Sequence, residues 1–253
     1  MYAEERQREI VESARAAGRV EVGTLAEVLG VTPETVRRDL TRLERQGMLR
    51  RTHGGAVPVE SLLPEREVSE RLGAMVEEKG RISKAALDYL PRQGTVMLDA
   101  GTTTGAFAAL LPTDRELTVV TNSVPVAGVL AANPGVTLYL TGGRVRGRTL
   151  ASVGEPATSF LRRLTLDVVF VAANGVSPEK GLTTPDMAEA TVKRVMVERA
   201  RRVVLLADST KFGEEHFVRF AELSQVDVIV TDRGLTEDEA AVYREAGPEV
   251  VRA

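Results

Sequence analysis

Cysteine and tryptophan are absent from the 253 residues, histidine occurs twice, and aromatic residues make up only 4%. Without thiols there can be no disulfide framework, no thiolate nucleophile and no cysteine-ligated zinc. The lack of cysteine also fits a reducing cytoplasm. Scarce aromatics argue against single-stranded nucleic acid held on stacked rings. No apolar run approaches the ~18 residues that a membrane span needs, and Glu4, Glu5, Arg6 and Arg8 stand where a signal peptide would be apolar. A soluble, unexported, cytoplasmic protein with no membrane partner is expected, with neither metal nor cofactor. What is present is 43% hydrophobic residues, enough to bury two compact cores.

The net charge of −3 conceals an uneven distribution. Residues 1–57 hold ten arginines and nine acidic residues, whereas the remainder holds 23 basic and 27 acidic ones. Between Glu34 and His53 six arginines (37, 38, 42, 45, 50 and 51) face only Glu34, Asp39 and Glu44. Such a cluster suits a surface that meets phosphate, because neutralising phosphates releases counterions. The plainer reading is a solvated helix face with local ion pairs.

Three short helices read out of the first 46 residues. The first runs from about Ala3 to Ala17 with Ile10, Val11 and Ala14 inward, and Gly18 ends it. The second spans about Thr24 to Leu29 and turns at Gly30. The third opens with Thr32 as N-cap, Pro33 in the first turn and Glu34 at the positive end of the dipole, and closes at Gln46-Gly47. Val36, Leu40 and Leu43 share one apolar stripe that can pack on Leu25, Leu29 and Leu49. Two helices joined at a glycine corner, the second polar-faced, form a helix-turn-helix whose second helix enters the major groove of duplex DNA. Met48 to Arg51 and His53 to Ala56 read as a two-stranded wing. Thr32, Thr35, Arg37 and Arg38 are then candidates for base-edge contact, and Arg38 can fork onto a guanine or a phosphate. Arg42, Arg50 and Arg51 would position the protein on the phosphates. His53 reads as a wing residue rather than a metal ligand.

The run Val31-Thr32-Pro33-Glu34-Thr35-Val36-Arg37-Arg38-Asp39-Leu40, preceded by Leu25-Ala26-Glu27, resembles the DeoR family of bacterial transcription repressors. Leu43-Glu44, Gly47-Met48-Leu49 and Arg51-Thr52-His53-Gly54-Gly55-Ala56 extend the resemblance over the whole N-terminal unit.

Val57 to Pro64, with two prolines and no helical stripe, reads as a hinge, and Glu65 to Leu90 as a helix stopped by Pro91. The expected division is a winged helix-turn-helix over 1–57, a linker over 58–74 and an α/β domain over 75–253. Short apolar runs at 95–99, 118–121, 136–141, 167–173, 202–207 and 226–231, separated by helical stretches, predict a largely parallel sheet covered on both faces. Ligands bind such sheets outside the carboxyl ends of the strands. Those ends are polar: Asp99 with Gly101-Thr102-Thr103-Thr104, Thr121-Asn122-Ser123, Thr141-Gly142-Gly143 followed by Arg144, Arg146 and Arg148, Asn174-Gly175, and Asp208-Ser209-Thr210-Lys211. Hydroxyls and helix amides make an anion cradle, so the set favours a small phosphorylated, polyhydroxylated ligand. Singly, each is equally compatible with a helix cap or turn. Glu189 and Lys193, four residues apart, suit either a ligand contact or an intrahelical ion pair.

The resemblance to the DeoR family continues through Lys79, Leu98-Asp99, Val119 to Asn122, Gly142-Gly143, Arg146, Gly154, Asp167, Phe170, Gly175, Glu189-Ala190, Lys193, Asp208 and Lys211-Phe212. It implies a C-terminal effector domain whose fold is similar to ribose-5-phosphate isomerase. Carried onto this chain, Gly101, Thr102, Thr103 and Thr104 would hold a phosphate. Asp99, Thr121, Asn122, Glu189, Lys193 and Lys211 would line the rest, with Gly142, Gly143 and Arg146 beside them. The expected function is repression of a carbohydrate-catabolism operon, relieved by a phosphorylated sugar. An active sugar-phosphate isomerase with a DNA-binding appendage is the alternative, but Asn174-Gly175 stands where that enzyme carries an acidic cluster. Paired operator half-sites call for a homodimer or homotetramer.

Overall fold

A computed structural model describes the chain except for residues 1–5, 8, 12, 15–19, 46–48, 53 and 59–66. It divides into two compact units, residues 1–64 and 65–253.

In the first unit the described residues between 6 and 14 are helical (α1). They are followed by β1 (Val20–Glu21), α2 (Val22–Leu29), α3 (Pro33–Arg45), β2 (Leu49–Thr52) and β3 (Gly55–Pro58). Gly30 ends α2 in the left-handed region at φ 63°, and its N–H meets the carbonyls of Ala26 and Glu27, a corner that glycine reaches without steric cost. Thr32 caps α3 by accepting from the Thr35 N–H at 3.3 Å. Ile10, Val11, Ala14, Leu25, Leu29, Val36, Leu40, Leu43 and Leu49 form one buried core. The wing differs from expectation: it has three strands, in the order β1-β3-β2. The two-residue β1 is too short to show a period in sequence, but it explains Gly55. A Cβ there would stand 2.0 Å from the Val20 carbonyl oxygen, so only glycine lets β3 lie against β1.

The second unit opens with α4 (Val68–Leu72) and α5 (Val76–Ala86), followed by a 3₁₀ turn at Leu87–Tyr89. The single helix expected over Glu65 to Leu90 is therefore broken. Met75 takes φ 54°, and the Lys79 ammonium donates to the carbonyls of Arg71 and Ala74 at 2.5 and 2.6 Å. Those bonds satisfy carbonyls that an unbroken helix would have paired along its own axis.

Next come β4 (Gln93–Leu98), α6 (Thr102–Ala108), β5 (Glu116–Thr121), α7 (Val124–Leu130), β6 (Val136–Leu140), β7 (Arg144–Val145), β8 (Ser152–Val153) and α8 (Glu155–Arg162). The chain continues through β9 (Val168–Val171), β10 (Gly175–Ser177), β11 (Gly181–Thr184), α9 (Met187–Arg199), β12 (Val203–Leu206), β13 (Val218–Ala221), β14 (Val228–Thr231), α10 (Glu237–Glu245) and β15 (Glu249–Arg252). Seven strands form a parallel sheet in the order β15-β14-β12-β9-β4-β5-β6. The six expected strands are all in it, and β15 is a seventh that its flanking charges conceal.

Alternate residues feed two cores. Val96, Leu98, Val168, Phe170, Val204 and Leu206 pack under α5, α6 and α7. Met97, Val169, Val171, Val203 and Leu205 pack under α8, α9, α10 and the antiparallel sheet β10-β11-β13. Burial on both faces accounts for the uninterrupted apolar runs in the sequence.

Candidate functional site

On α3 the inward stripe leaves Arg37, Arg38 and Arg42 exposed and Thr35 half-buried, with Thr32 exposed at the cap. Thr32 and Thr35 also share a hydroxyl hydrogen bond of 3.0 Å. Arg37 pairs with Glu34 at 3.2 Å across one turn, both side chains well exposed, so solvent screens that pair. Arg50 and Arg51 fall on β2, and His53 lies outside the described residues. Asp39, between Arg38 and Leu40, turns inward. It accepts from Arg6 Nε at 2.6 Å and Gln7 Nε2 at 2.9 Å and is 5% exposed. Its hydrogen bond also holds the Arg6 guanidinium above its ordinary range. The acid in the middle of the basic run thus clamps α1 to α3. No spacing rule links residues 33 apart, so the sequence carried no sign of it.

In the parallel sheet the order reverses between β4 and β9, because β5 and β6 lie on one side of that pair and β12, β14 and β15 on the other. Asp99 leaves the end of β4 and is fully buried. Its Oδ2 accepts from the Ala172 N–H beyond β9 at 3.1 Å and from the Lys193 ammonium of α9. Lys193 also donates to the Ala172 carbonyl at 2.9 Å and lies 5.5 Å from the centre of the Phe220 ring. The ion pair closes across the crevice where an open α/β sheet takes its ligand. Burial pushes the Asp99 carboxyl upward, and Lys193 and the Ala172 N–H pull it partly back. Asp99 Oδ1 is buried without a hydrogen-bond partner, as are Asn122 Oδ1 and Thr141 Oγ1 at the ends of β5 and β6.

Glu189, one turn before Lys193, does not pair with it. Glu189 Oε1 accepts from Arg146 Nη1 and from the Thr149 hydroxyl. Arg146 also reaches Asp186 at 3.3 Å, and Asp186 caps α9 by accepting from the Glu189 N–H at 2.9 Å. The intrahelical pair is therefore replaced by two separate long-range pairs, each burying one partner from α9. Thr149 and Asp186 were missed as members of this network. Asp186 was legible, since an acid three residues before a glutamate is a capping pattern; Thr149 had no signal.

The remaining residues have mixed roles. Thr121 donates to the Leu98 carbonyl at 2.7 Å and accepts from the Ser123 N–H at 3.1 Å, which clips β5 to β4. Gly101 is half-buried before α6, where a Cβ would lie 3.0 Å from both Ala172 Cβ and Thr104 Oγ1. Thr102 is half-buried, Thr103 and Thr104 are buried, and Thr104 donates to the Gly101 carbonyl at 3.0 Å. Gly142 is exposed, and its carbonyl accepts from Ser152 at 3.1 Å. Gly143 sits at φ 119° with space for a Cβ blocked 2.4 Å away by the Val153 carbonyl, so it serves the β7-β8 approach. Lys211 is half-buried on the 3₁₀ turn Ser209–Lys211, which Asp208 caps. Lys79 is close enough for Asp208 and Lys211 to act on it; burial lowers its ammonium, Asp208 opposes that and Lys211 reinforces it. Asn174 Oδ1 accepts from Thr184 at 3.1 Å, and a Cβ on Gly175 would come 2.3 Å from the Glu214 carbonyl oxygen. Neither position offers a carboxylate for isomerisation.

Residues 6–61 match the DeoR-like helix-turn-helix domain and residues 74–233 the DeoR C-terminal sensor domain. The HTH-type transcriptional regulator GlpR of Haloferax volcanii is 40% identical over 251 residues, covering 99% of this chain and 98% of that one. The glycerol-3-phosphate regulon repressor of Escherichia coli K12 is 33% identical over 236 residues, covering 92% of each. A solved structure of D-ribose-5-phosphate isomerase with phospho-erythronic acid is similar over 54% of each chain, at 19% identity and a TM-score of 0.40. With a helix-turn-helix unit, a sensor unit and relatives that are regulators rather than enzymes, this chain belongs to the DeoR family of transcription repressors.

Proposed function

We propose that the protein acts in the cytoplasm as the repressor of a carbohydrate-catabolism operon and leaves its operator when a phosphorylated sugar binds the sheet unit. The observation that carries this reading is the pair of buried, unpartnered acceptors Asp99 Oδ1 and Asn122 Oδ1 at the carboxyl edge. Leaving them unmet costs free energy, and the hydroxyls of a polyol supply the donors that would meet them. Gly101, Thr102, Thr103 and Thr104 take the phosphate, with Lys211 among the residues that line the rest of the pocket. Asp99, Thr121, Asn122, Gly142, Gly143, Arg146, Glu189 and Lys193 surround the carbon chain. Kinship with a glycerol-3-phosphate regulon repressor makes small phosphorylated polyols the first compounds to try.

On the DNA side, Thr32, Thr35, Arg37 and Arg38 read base edges, while Arg42, Arg50, Arg51 and His53 hold the phosphates and the wing. A homodimer or homotetramer presents two such helices to two half-sites. The effector lowers operator affinity to the extent that it binds the released state more tightly.

The test is a thermal-shift screen of sugar phosphates against their unphosphorylated parents, followed by operator binding with and without the hit. A specific effector raises Tm by mass action and only in its phosphorylated form. Arg38→Ala removes operator binding and spares the shift; Lys211→Ala does the reverse. Loss of both activities in both variants would overturn the division of labour.

A further inference from the structure

Helix α4 is turned the opposite way from an ordinary surface helix. None of its five residues is buried as a whole, and Leu72 is 60% exposed, whereas Arg71 Nε is enclosed with no hydrogen-bond partner. A surface helix sets its apolar stripe inward, and a cationic side chain is rarely enclosed unless something pairs with it. Among the described residues no carboxylate does so for Arg71.

The surroundings of Arg71 are cationic as well. Its carbonyl and that of Ala74 accept from the Lys79 ammonium, which is buried. Burial lowers that ammonium, Asp208 opposes the shift, and Lys211 and Arg71 add to it. Asp208 Oδ1 is itself engaged by the N–H of Thr210 at 3.2 Å and by the Thr210 hydroxyl. Three cations (Arg71, Lys79 and Lys211) against one carboxylate (Asp208) leave a surplus of two positive charges. A phosphate monoester carries about −1.5 to −2 at neutral pH, which matches that surplus. Lys211 follows β12 and Thr102 follows β4, both at the carboxyl edge of the sheet, and α4 and α5 both pack on α6, the helix that Thr102, Thr103 and Thr104 open.

We propose, on the phosphorylated-effector reading above, that Arg71 closes on the phosphate of the effector and that α4 is a strap fastened by the bound ligand. The guanidinium offers Nε and a terminal nitrogen to two phosphate oxygens, a fork that matches phosphate geometry. Without ligand, α4 is tied to its surroundings through backbone carbonyls: the Val68 N–H donates to Arg148 at 2.8 Å, and Lys79 holds the carbonyls of Arg71 and Ala74. With no apolar residue buried, such a segment is locally weak, so one strong bond to a ligand changes its order most. α4 is also the first described helix after the helix-turn-helix unit. The segment that tightens on the effector is thus one that the chain passes through on leaving the DNA-binding unit.

Hydrogen exchange of the full chain with inorganic phosphate as the probe tests this, with Tm measured alongside. Phosphate raises the wild-type Tm by mass action and slows exchange across residues 68–72. Arg71→Met keeps the backbone carbonyl that Lys79 holds and removes only the guanidinium. In that variant phosphate binds about tenfold to a hundredfold more weakly, the loss expected for one bond between charged groups. At equal occupancy its residues 68–72 exchange as fast as without phosphate. Arg71→Lys restores the charge but not the fork and recovers only part of the affinity. Arg81→Met, at an exposed arginine on α5, binds phosphate and protects α4 as the wild type does. If phosphate raises the wild-type Tm yet leaves 68–72 unprotected, or protects them equally in Arg71→Met, the strap is overturned while the phosphorylated-effector reading stands. If phosphate leaves the wild-type Tm unchanged, the strap has no anion to close on and is overturned too, and the screen of sugar phosphates then decides the effector reading by itself.

Discussion

On α3 the cations point outward: Arg37, Arg38 and Arg42 are exposed, and the acid among them, Asp39, is drawn inside. At the carboxyl edge of the sheet the arrangement is reversed, with Lys193 buried against Asp99 and Arg146 nearly buried against Glu189. The same chemical groups stand in two physical settings, which suit two kinds of recognition. Exposed arginines keep their water until they meet phosphates and release counterions, which yields affinity spread over a surface and weakened by salt. Buried ions have lost their water already, so each is tied to a fixed set of partners in one geometry. A ligand entering there would compete with, or complete, a fixed set of bonds, which is a source of selectivity.

Breaking the buried side of that contrast has the largest effect. Lys193→Ala leaves Asp99 in the interior without its cation, and chemical denaturation of the sheet unit will register a loss of about 3–5 kcal/mol. The deficit depends on pH in a stated direction. Burial already pushes the Asp99 carboxyl up, and without the ammonium it rises further above its value in the unfolded chain. The folded variant then holds its proton to higher pH than the unfolded one. The deficit is therefore smallest in acid and grows as pH rises through the unfolded and then the folded pKa. Asp99→Leu with Lys193→Met removes both charges and recovers most of the loss. A deficit that stayed constant with pH would show that Lys193 acts by packing alone.

The part of this contrast that could be read from sequence is the part written locally. The cap at Thr32, the corner at Gly30 and the stripe of Val36, Leu40 and Leu43 depend on neighbours three or four residues apart, and the polar strand ends follow directly from apolar runs that stop. The partners were not legible. Asp99 meets Lys193 at a separation of 94 residues and Glu189 meets Arg146 at 43, and the simple i,i+4 reading paired Glu189 with Lys193 instead. β1 and β15 escaped because two residues show no period and flanking charges mask a short run. The break between α4 and α5 escaped because it depends on where the Lys79 ammonium finds its carbonyls.

A smaller effect is expected where an ion pair steadies the exposed face from behind. Asp39→Ala deprives Arg6 and Gln7 of their acceptor, and bonds to a charged group are worth about 1.5–3 kcal/mol. Hydrogen exchange on α1 and α3 will speed up while the strands of the sheet unit keep their protection. Operator affinity will fall with rising temperature more steeply than in the wild type, although none of the exposed arginines of α3 has been touched. Equal loss at every temperature would mean that Asp39 does more than hold the helices together.

The smallest effect sharpens the comparison most, because Thr32 stands on both sides of it. Its hydroxyl caps α3 through the Thr35 N–H, and the residue is exposed at the helix end that would enter the major groove. Thr32→Ala removes the cap at a cost of about 1 kcal/mol, read as a lower melting point of the helix-turn-helix unit. Thr32→Ser keeps the capping oxygen and loses only the methyl group, so stability returns. Operator binding separates the two roles. If Ser restores stability and affinity together, Thr32 acts on DNA only by holding the first turn of α3 in place. If Ser restores stability while affinity for the operator stays low, the methyl group itself touches a base, as a threonine methyl can against thymine.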